Sequence, residues 1–521
     1  MNLKSLIKNK YEGDLNRITI IDADYDKLYD GNSFFKLVTN AVSLFQSKSV
    51  KNVILISENS IELLAIFIAS VLQDVRITLL SPRRDWDYDS VYSFESEQDT
   101  LVISDNDLLK GCSVAKISKM NSDLKLEIDT LNLKYFKVCI PTSATTGQSK
   151  IVIQSEENIV SNIYALKEHH FLTESSVVAS CLPFFHVNAL YFSFLSVFLS
   201  GGVTVFSRRF EPRGMLSSIA KYKVNIYSLI PLYLQKLNQY RNDLEIEKLN
   251  NLDYFVSAAA PLSIDTLRNF VIHFKKQVVQ GYGLSEGVNF SCTLPIDLSS
   301  NEYEEIMYRY QYPSIGIALK DNDIKIIKSD GNLAEESEIG ELWIKGKNIF
   351  SGYKLTDNDG LFDNGYFKTG DLGFYKNFKN KKFYFVSGRL KEVAKINGET
   401  NNLRDLDEFY KKNITSELDF FVTTLVHNQN GEVPILICKF DREESVNGFK
   451  LQYEKIMTCF PSNIRANFIF FTDREIRTAS GKAKRWSFES EYMSFREVVY
   501  SYDDVITIIE LANPNKNQKK T

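Results

Sequence analysis

Histidine and cysteine are scarce in this 521-residue chain, with five of the first and six of the second. The histidines form no His-Glu-x-x-His pair, and Cys112, Cys139, Cys181, Cys292, Cys438 and Cys459 show no Cys-x-x-Cys spacing. Nothing in that pattern supports a structural or catalytic zinc site. Thiols set in apolar runs such as FKVCIP and PILICKF read as buried, reduced side chains of a cytoplasmic protein, not as a disulfide framework. An excess of positive charge is also missing. The 62 basic and 66 acidic residues leave a net charge of −4, which gives no electrostatic footprint for nucleic acid or an anionic membrane. The opening MNLKSLIKNKYEGD has no apolar core of the secretory type. No internal repeat and no long low-complexity linker interrupts the chain. One uncharged run, residues 187–206, has the length of a membrane span. Its Gly201-Gly202 pair and β-branched VTVF ending instead divide it into a buried helix, a turn and a strand.

What is present describes a folded protein, 44% hydrophobic and 13% aromatic, and long enough for two or more domains. Buried-strand patterns (NVILISEN, RITLLS, TLVISD, FKVCIP, NIYSLIP, LDYFVSA) alternate with helical ones such as SIELLAIFIASVLQ. That is the rhythm of parallel α/β sheets. Between about 314 and 390 short strands (DIKIIK, GELWIKG, KFYFVSG) follow one another with turn residues between them, which predicts a small antiparallel or barrel-like region. From Arg389 onward a mixed α+β unit begins, and NPNKNQKKT reads as a frayed tail. The expected organisation is therefore a large N-terminal domain, 1–388, of two parallel-sheet α/β subdomains plus the β-barrel-like region. A small C-terminal domain, 389–512, and a tail, 513–521, follow.

The chemistry is concentrated in short polar stretches. PTSATTGQSK runs from a predicted strand into a loop carrying Thr142, Ser143, Thr145, Thr146, Gly147 and Lys150. Hydroxyls and backbone N–H groups at such a point can hold phosphate oxygens, with Lys150 adding charge. A plain Ser/Thr turn would explain the same residues, and the loop is not a Walker P-loop, lacking that motif's first glycine and its Gly-Lys pair. Further along the chain come LPFFHVNAL, SAAAPLS, QGYGLSEG, GELWIKGKNIFSGY, GYFKTGDLG, SGRLKEVAKINGE and RTASGKAKR. In this order the series resembles the motifs of the adenylate-forming superfamily: the acyl-CoA synthetases (4-coumarate-CoA ligases among them), adenylation domains and luciferases.

The resemblance implies a two-step, ATP-dependent reaction and a role for each matching residue. ATP and Mg²⁺ would be used first, to convert a carboxylic acid to an acyl-adenylate with loss of pyrophosphate. Ser143, Thr145, Thr146 and Lys150 would hold the β- and γ-phosphates. Tyr282 would stack on adenine, Ser285 would bond the α-phosphate, and Glu286 would ligate Mg²⁺, a hard cation suited to a carboxylate. Asp371 would accept the ribose hydroxyls, with Arg389 beside it and Lys395 near the adenylate. Lys482 would be the catalytic lysine, delivered by a C-terminal domain that turns about Lys391. His186, Asn188, Ala258, Ala259, Ala260 and Gly281 would line the acid's pocket, with His186 gating or orienting the acid. Gly398 would line the tunnel for the acceptor thiol. His169 and His170 match no motif and read as solvated.

Several positions depart from the family pattern. Ala144 stands for the first loop glycine, Ser149 for proline, Ile151 for glycine and Glu156 for histidine. Leu403 stands for proline, Asp405 and Asp407 for glutamates, and Ile476 for proline. None removes a charged group from the implied site. Two acceptors fit: coenzyme A, with an aromatic or medium-chain acid as substrate, or the phosphopantetheine of a separate carrier protein. Only 36 residues follow Arg485, too few for a fused carrier domain. A catalytically silent nucleotide- or acyl-binding relative is the third possibility, disfavoured by the presence of Lys150, Glu286, Asp371, Arg389 and Lys482. The sequence contains nothing that fixes the oligomeric state.

Overall fold

The computed structural model describes residues 2–82, 99–104, 112–120, 122, 124–141, 150–354, 358–396, 399–414, 418–427, 431–439, 448–449, 452–453, 465–466, 468–472, 475–478, 482–485 and 507–510. Two parallel-centred sheets form the bulk of the molecule. In the nine-stranded sheet six neighbouring strands run parallel: Gln277–Gly283, Tyr254–Ser257, Ile226–Leu229, Val177–Ser180, Val203–Phe206 and Ile18–Asp22. Antiparallel strands close both edges. The second sheet has Arg76–Leu80 between Lys137–Pro141 and Asn52–Ile56, with Thr100–Ser104 beyond, all parallel. Strands this apolar are covered on both faces, as parallel sheets require. The helix Ile61–Leu72 illustrates the covering, since all but one of its residues are buried. Side-chain caps set where such helices begin: Asp30, Ser60 and Ser263 each accept a backbone N–H of the following first turn.

The run at 187–206 is an irregular wide-turned helix, Asn188–Ser196, continued by Val197–Ser200. Gly201 ends it with φ 86°, and the strand Val203–Phe206 follows. The left-handed backbone at Gly201 is why a glycine stands there. Among the described residues no helix is long and apolar enough to cross a membrane.

Residues 317–389 include a five-stranded antiparallel sheet built on one long strand, Tyr366–Phe378. That strand pairs with Gly340–Gly346 on one side and with Lys381–Arg389 on another stretch. Beyond Arg389, a further sheet and the helix Leu403–Asn413 enclose a core of their own, including Leu406, Tyr410, Val422, Leu436, Tyr453 and Phe471.

The expectation that both adjacent histidines are solvated fails. His170 is buried: Nδ1 lies 3.0 Å from the Tyr254 hydroxyl and its ring packs on Phe192. His169 is half-buried, with Nε2 3.0 Å from the Leu294 carbonyl oxygen. The pair ends the helix Glu156–His169, and the sheet beneath that end covers a segment that reads as polar locally. Burial depresses the His170 pKa well below its usual value, with its neighbour His169 adding to the effect.

Candidate active site

The expected phosphate loop joins two antiparallel strands, Lys137–Pro141 and Ile151–Ser155. It leaves the carboxyl end of a parallel strand, the edge where open α/β sheets hold ligands. Thr142, Ser143, Thr145, Thr146 and Gly147 lie outside the described residues, as do Ala144 and Ser149. Lys150 is described, and its ammonium lies 4.6 Å from the centroid of the Tyr353 ring. Register makes that contact, because Tyr353–Lys354 pairs with Ile151–Ser155 and sets Tyr353 opposite Val152.

Tyr353 also reaches the next motif, donating its hydroxyl to Glu286 Oε1 at 2.7 Å. Glu286 sits in the tight turn Ser285–Gly287, whose backbone is tied on three sides. Gln154 Nε2 donates to the Ser285 carbonyl at 2.7 Å, Phe350 N–H to that of Glu286 at 2.8 Å, and Asn348 Nδ2 to that of Gly287 at 3.0 Å. Val288 follows with φ 65°, a conformation costing a β-branched residue about 1–3 kcal/mol. The chain doubles back so closely that a Cβ on Gly283 would lie 1.8 Å from the Asn289 carbonyl oxygen, which accounts for the second glycine of QGYG.

Asp371 and Arg389 are cross-strand partners in the long hairpin. Arg389 Nε donates to Asp371 Oδ1 at 2.7 Å, and the Tyr282 hydroxyl donates to Oδ2 at 2.7 Å. Asp371 is 4% exposed. The carboxylate holds the Arg389 guanidinium protonated against burial, while burial and the same carboxylate push the Tyr282 phenol well above its usual range. Both oxygens of Asp371 already serve protein donors, so a ribose would share or displace one of them.

Lys482 comes to the same place from the C-terminal part of the chain. The segments 475–478 and 482–485 pair with each other: Thr478 N–H donates to the Lys482 carbonyl at 2.8 Å, and Lys484 N–H to that of Ile476 at 3.0 Å. The Lys482 ammonium pKa is depressed, first by burial and then by Arg389; Asp371, Glu286 and Glu392 oppose the shift. Two cations from different parts of the chain, Lys482 and Arg389, are thus set among carboxylates, with Lys150 linked to Glu286 through Tyr353, an arrangement able to hold a polyphosphate and oppose charge developing on it. Glu286, a half-buried carboxylate in this anion-binding setting, suits Mg²⁺ as an oxygen ligand.

Of the expected acid-pocket residues, Ala258, Ala259 and Ala260 follow the strand Tyr254–Ser257, Gly281 lies within Gln277–Gly283, and Asn188 begins the helix Asn188–Ser196, with His186 just before it. His186 is half-buried, its ring 4.6 Å from that of Phe185. Asn188 Oδ1 accepts the Ser228 hydroxyl at 3.0 Å. Ala258 is buried, while Ala259 and Ala260 are half-buried, with Ala259 at φ 75°. A Cβ on Gly281 would press on the Phe290 ring at 2.8 Å. Lys391 is exposed, in a 3₁₀ turn joining the hairpin to the next strand. Lys395 lies on Val393–Ile396, and Gly398 lies outside the described residues. Of the departures, Ile151 is core and Glu156 accepts the Leu3 N–H at 2.7 Å.

A sequence profile describing AMP-binding enzymes matches residues 41–354. The chain belongs to that family. This AMP-binding enzyme is 28% identical over 277 residues to a probable CoA ligase of Humulus lupulus, covering 52% of this chain and 47% of that protein. It is 29% identical over 360 residues to a probable 4-coumarate–CoA ligase of Dictyostelium discoideum, covering 66% and 61%. The chain thus spans about half to three-fifths of the length of these curated relatives. Its fold matches that of o-succinylbenzoate CoA synthetase from Bacillus subtilis, in complex with an acyl-adenylate intermediate. The TM-score is 0.75 at 20% identity, over 92% of this chain and 96% of that one.

Tyr353 carried no role in the sequence reading although it ends one of the quoted motifs, because only the fold brings it between Lys150 and Glu286. Tyr353→Phe keeps the ring under Lys150 and removes the hydrogen bond to Glu286. Losing an outer partner of a metal-ligating carboxylate costs about tenfold or more in metal affinity. The expected result is a weaker Mn²⁺ affinity in the presence of ATP, read by electron paramagnetic resonance, with an unchanged melting temperature.

Proposed function

We propose that this AMP-binding enzyme activates a carboxylic acid with ATP and then transfers the acyl group to a thiol. A carboxylate oxygen of the acid attacks the α-phosphorus of ATP, the bond to the bridging oxygen breaks, and pyrophosphate leaves. The thiol sulfur then attacks the acyl carbon, losing its proton, and AMP leaves. What carries this reading is that Lys482, from a segment packed into a core of its own, feels the charges of Asp371, Arg389 and Glu286. Lys482 would face the α-phosphate and the attacking carboxylate, two anions that otherwise repel. Lys150 would neutralise the leaving pyrophosphate. Glu286 would hold Mg²⁺, which supplies further charge neutralisation when bound. Asp371, Arg389 and Tyr282 would fix the nucleoside, and Ala259, Ala260, His186 and Asn188 would line the acid's pocket.

Coenzyme A is the acceptor we favour, with an aromatic or medium-chain acid as substrate; the likeness to proteins named as CoA ligases supports both. Incubation with ATP, Mg²⁺, coenzyme A and a panel of such acids is the test. AMP formed in step with an acyl-CoA thioester is the expected outcome. AMP and thioester appearing only when a phosphopantetheinylated carrier protein replaces coenzyme A would sink the acceptor assignment.

A further inference from the structure

The helix Leu403–Asn413 has charged residues at its start that face two ways. Arg404 is 6% exposed. Its guanidinium donates to the Val386 carbonyl at 2.5 Å and to the Leu262 carbonyl at 3.4 Å. It also lies 4.5 Å from the centroid of the Tyr312 ring. Tyr312, itself buried, donates its hydroxyl to the next residue, Asp405, at 2.5 Å. Asn402, the cap of the helix, donates to the Ser387 carbonyl at 2.9 Å. Leu262, Tyr312, Val386 and Ser387 belong to the N-terminal body and are far apart in sequence. One turn farther along the same helix, Asp407 pairs with Arg485, three residues beyond Lys482. Arg485 also donates to the Val422 carbonyl at 2.9 Å. The helix therefore grips the N-terminal body through Arg404 and Asp405, and the Lys482 hairpin through Asp407.

The contacts that Asn402, Arg404 and Asp405 make with the N-terminal body are polar, as at interfaces across which domains turn. A buried arginine whose two terminal nitrogens donate to carbonyls of another part of the chain holds one orientation closely, because its planar fork fits few alternatives. We propose that Arg404, with the Tyr312–Asp405 hydrogen bond, is the latch that fixes the C-terminal unit where Lys482 enters the active site. Arg404 is a positioning residue, acting on adenylation through the helix without touching substrate. Leu403 and Asp405, two of the departures from the family pattern, flank it. The consequence for rate rests on the function proposed above; the consequence for domain orientation does not.

Arg404→Met keeps the stem and removes the fork; Tyr312→Phe keeps the ring and removes the hydroxyl. Spin labels on cysteines introduced at the exposed Asn242 and Lys412, in a Cys459→Ser background, report the distance between the bodies. Arg404→Met should broaden that distance distribution and lower ATP–pyrophosphate exchange about tenfold. Consumption of a supplied acyl-adenylate by thiol should be unchanged or faster. Tyr312→Phe should move each reading the same way by less. Unaltered distance and exchange in Arg404→Met would overturn the latch, and so would an equal loss of both half-reactions with a lowered melting temperature. If the unsubstituted enzyme shows no exchange with any acid, the proposed reaction falls, and the distance measurement alone still decides the latch.

Discussion

Lys482→Ala should lower acyl-adenylate formation by about 10²–10³-fold and leave ATP affinity largely unchanged. The lysine belongs to a segment packed in the core of the C-terminal part of the chain, and its charge interacts with those of Asp371 and Glu286. Ground-state ATP would keep Lys150, Arg389 and the tied turn at Glu286. In the proposed reaction Lys482 would oppose the charge that grows on the α-phosphate during attack. An interaction made mainly in the transition state is lost from kcat rather than from binding. Pyrophosphate exchange beside calorimetric titration with a non-hydrolysable ATP analogue separates the two effects. An equal loss of affinity and rate would make Lys482 a simple nucleotide ligand instead.

Asp371→Ala should damage both stability and nucleotide binding. Its carboxylate accepts from Tyr282 and Arg389 at once and is nearly inaccessible to water. Alanine leaves a phenol without its acceptor and a guanidinium without its counter-charge, at a cost of about 3 kcal/mol. A lowered melting temperature and loss of protection by AMP are the expected readings. Asp371→Asn, which keeps the shape and one acceptor oxygen, should recover much of the stability and little of the nucleotide protection. If the asparagine variant bound AMP as well as the unsubstituted protein, Asp371 would be structural only.

The alternation of apolar strands and amphipathic helices made the parallel sheets legible, and the short strands after 314 announced an antiparallel sheet. The run at 187–206 was readable as helix, turn and strand because two glycines and four β-favouring residues punctuate it. Glu286, Asp371, Arg389 and Lys482 stood out only through the ordered series of motifs that resembles the adenylate-forming superfamily, since each motif alone reads as an ordinary turn or surface segment. Tyr353 and Arg404 did not stand out. Their partners are set by register between distant strands and by packing across two bodies, and neither leaves a local signal. His170 was misread for the same reason, since the polar segment around it says nothing of Tyr254 lying beneath.

The central claim is that this site joins an acid to AMP. Isotope exchange between labelled pyrophosphate and ATP, run across a panel of carboxylic acids with Mg²⁺, tests it most directly. The account predicts label entering ATP with at least one acid, dependent on that acid and abolished to background by Lys482→Ala. A folded protein that binds ATP yet exchanges no label with any acid would contradict it and leave a nucleotide-binding protein without adenylating activity.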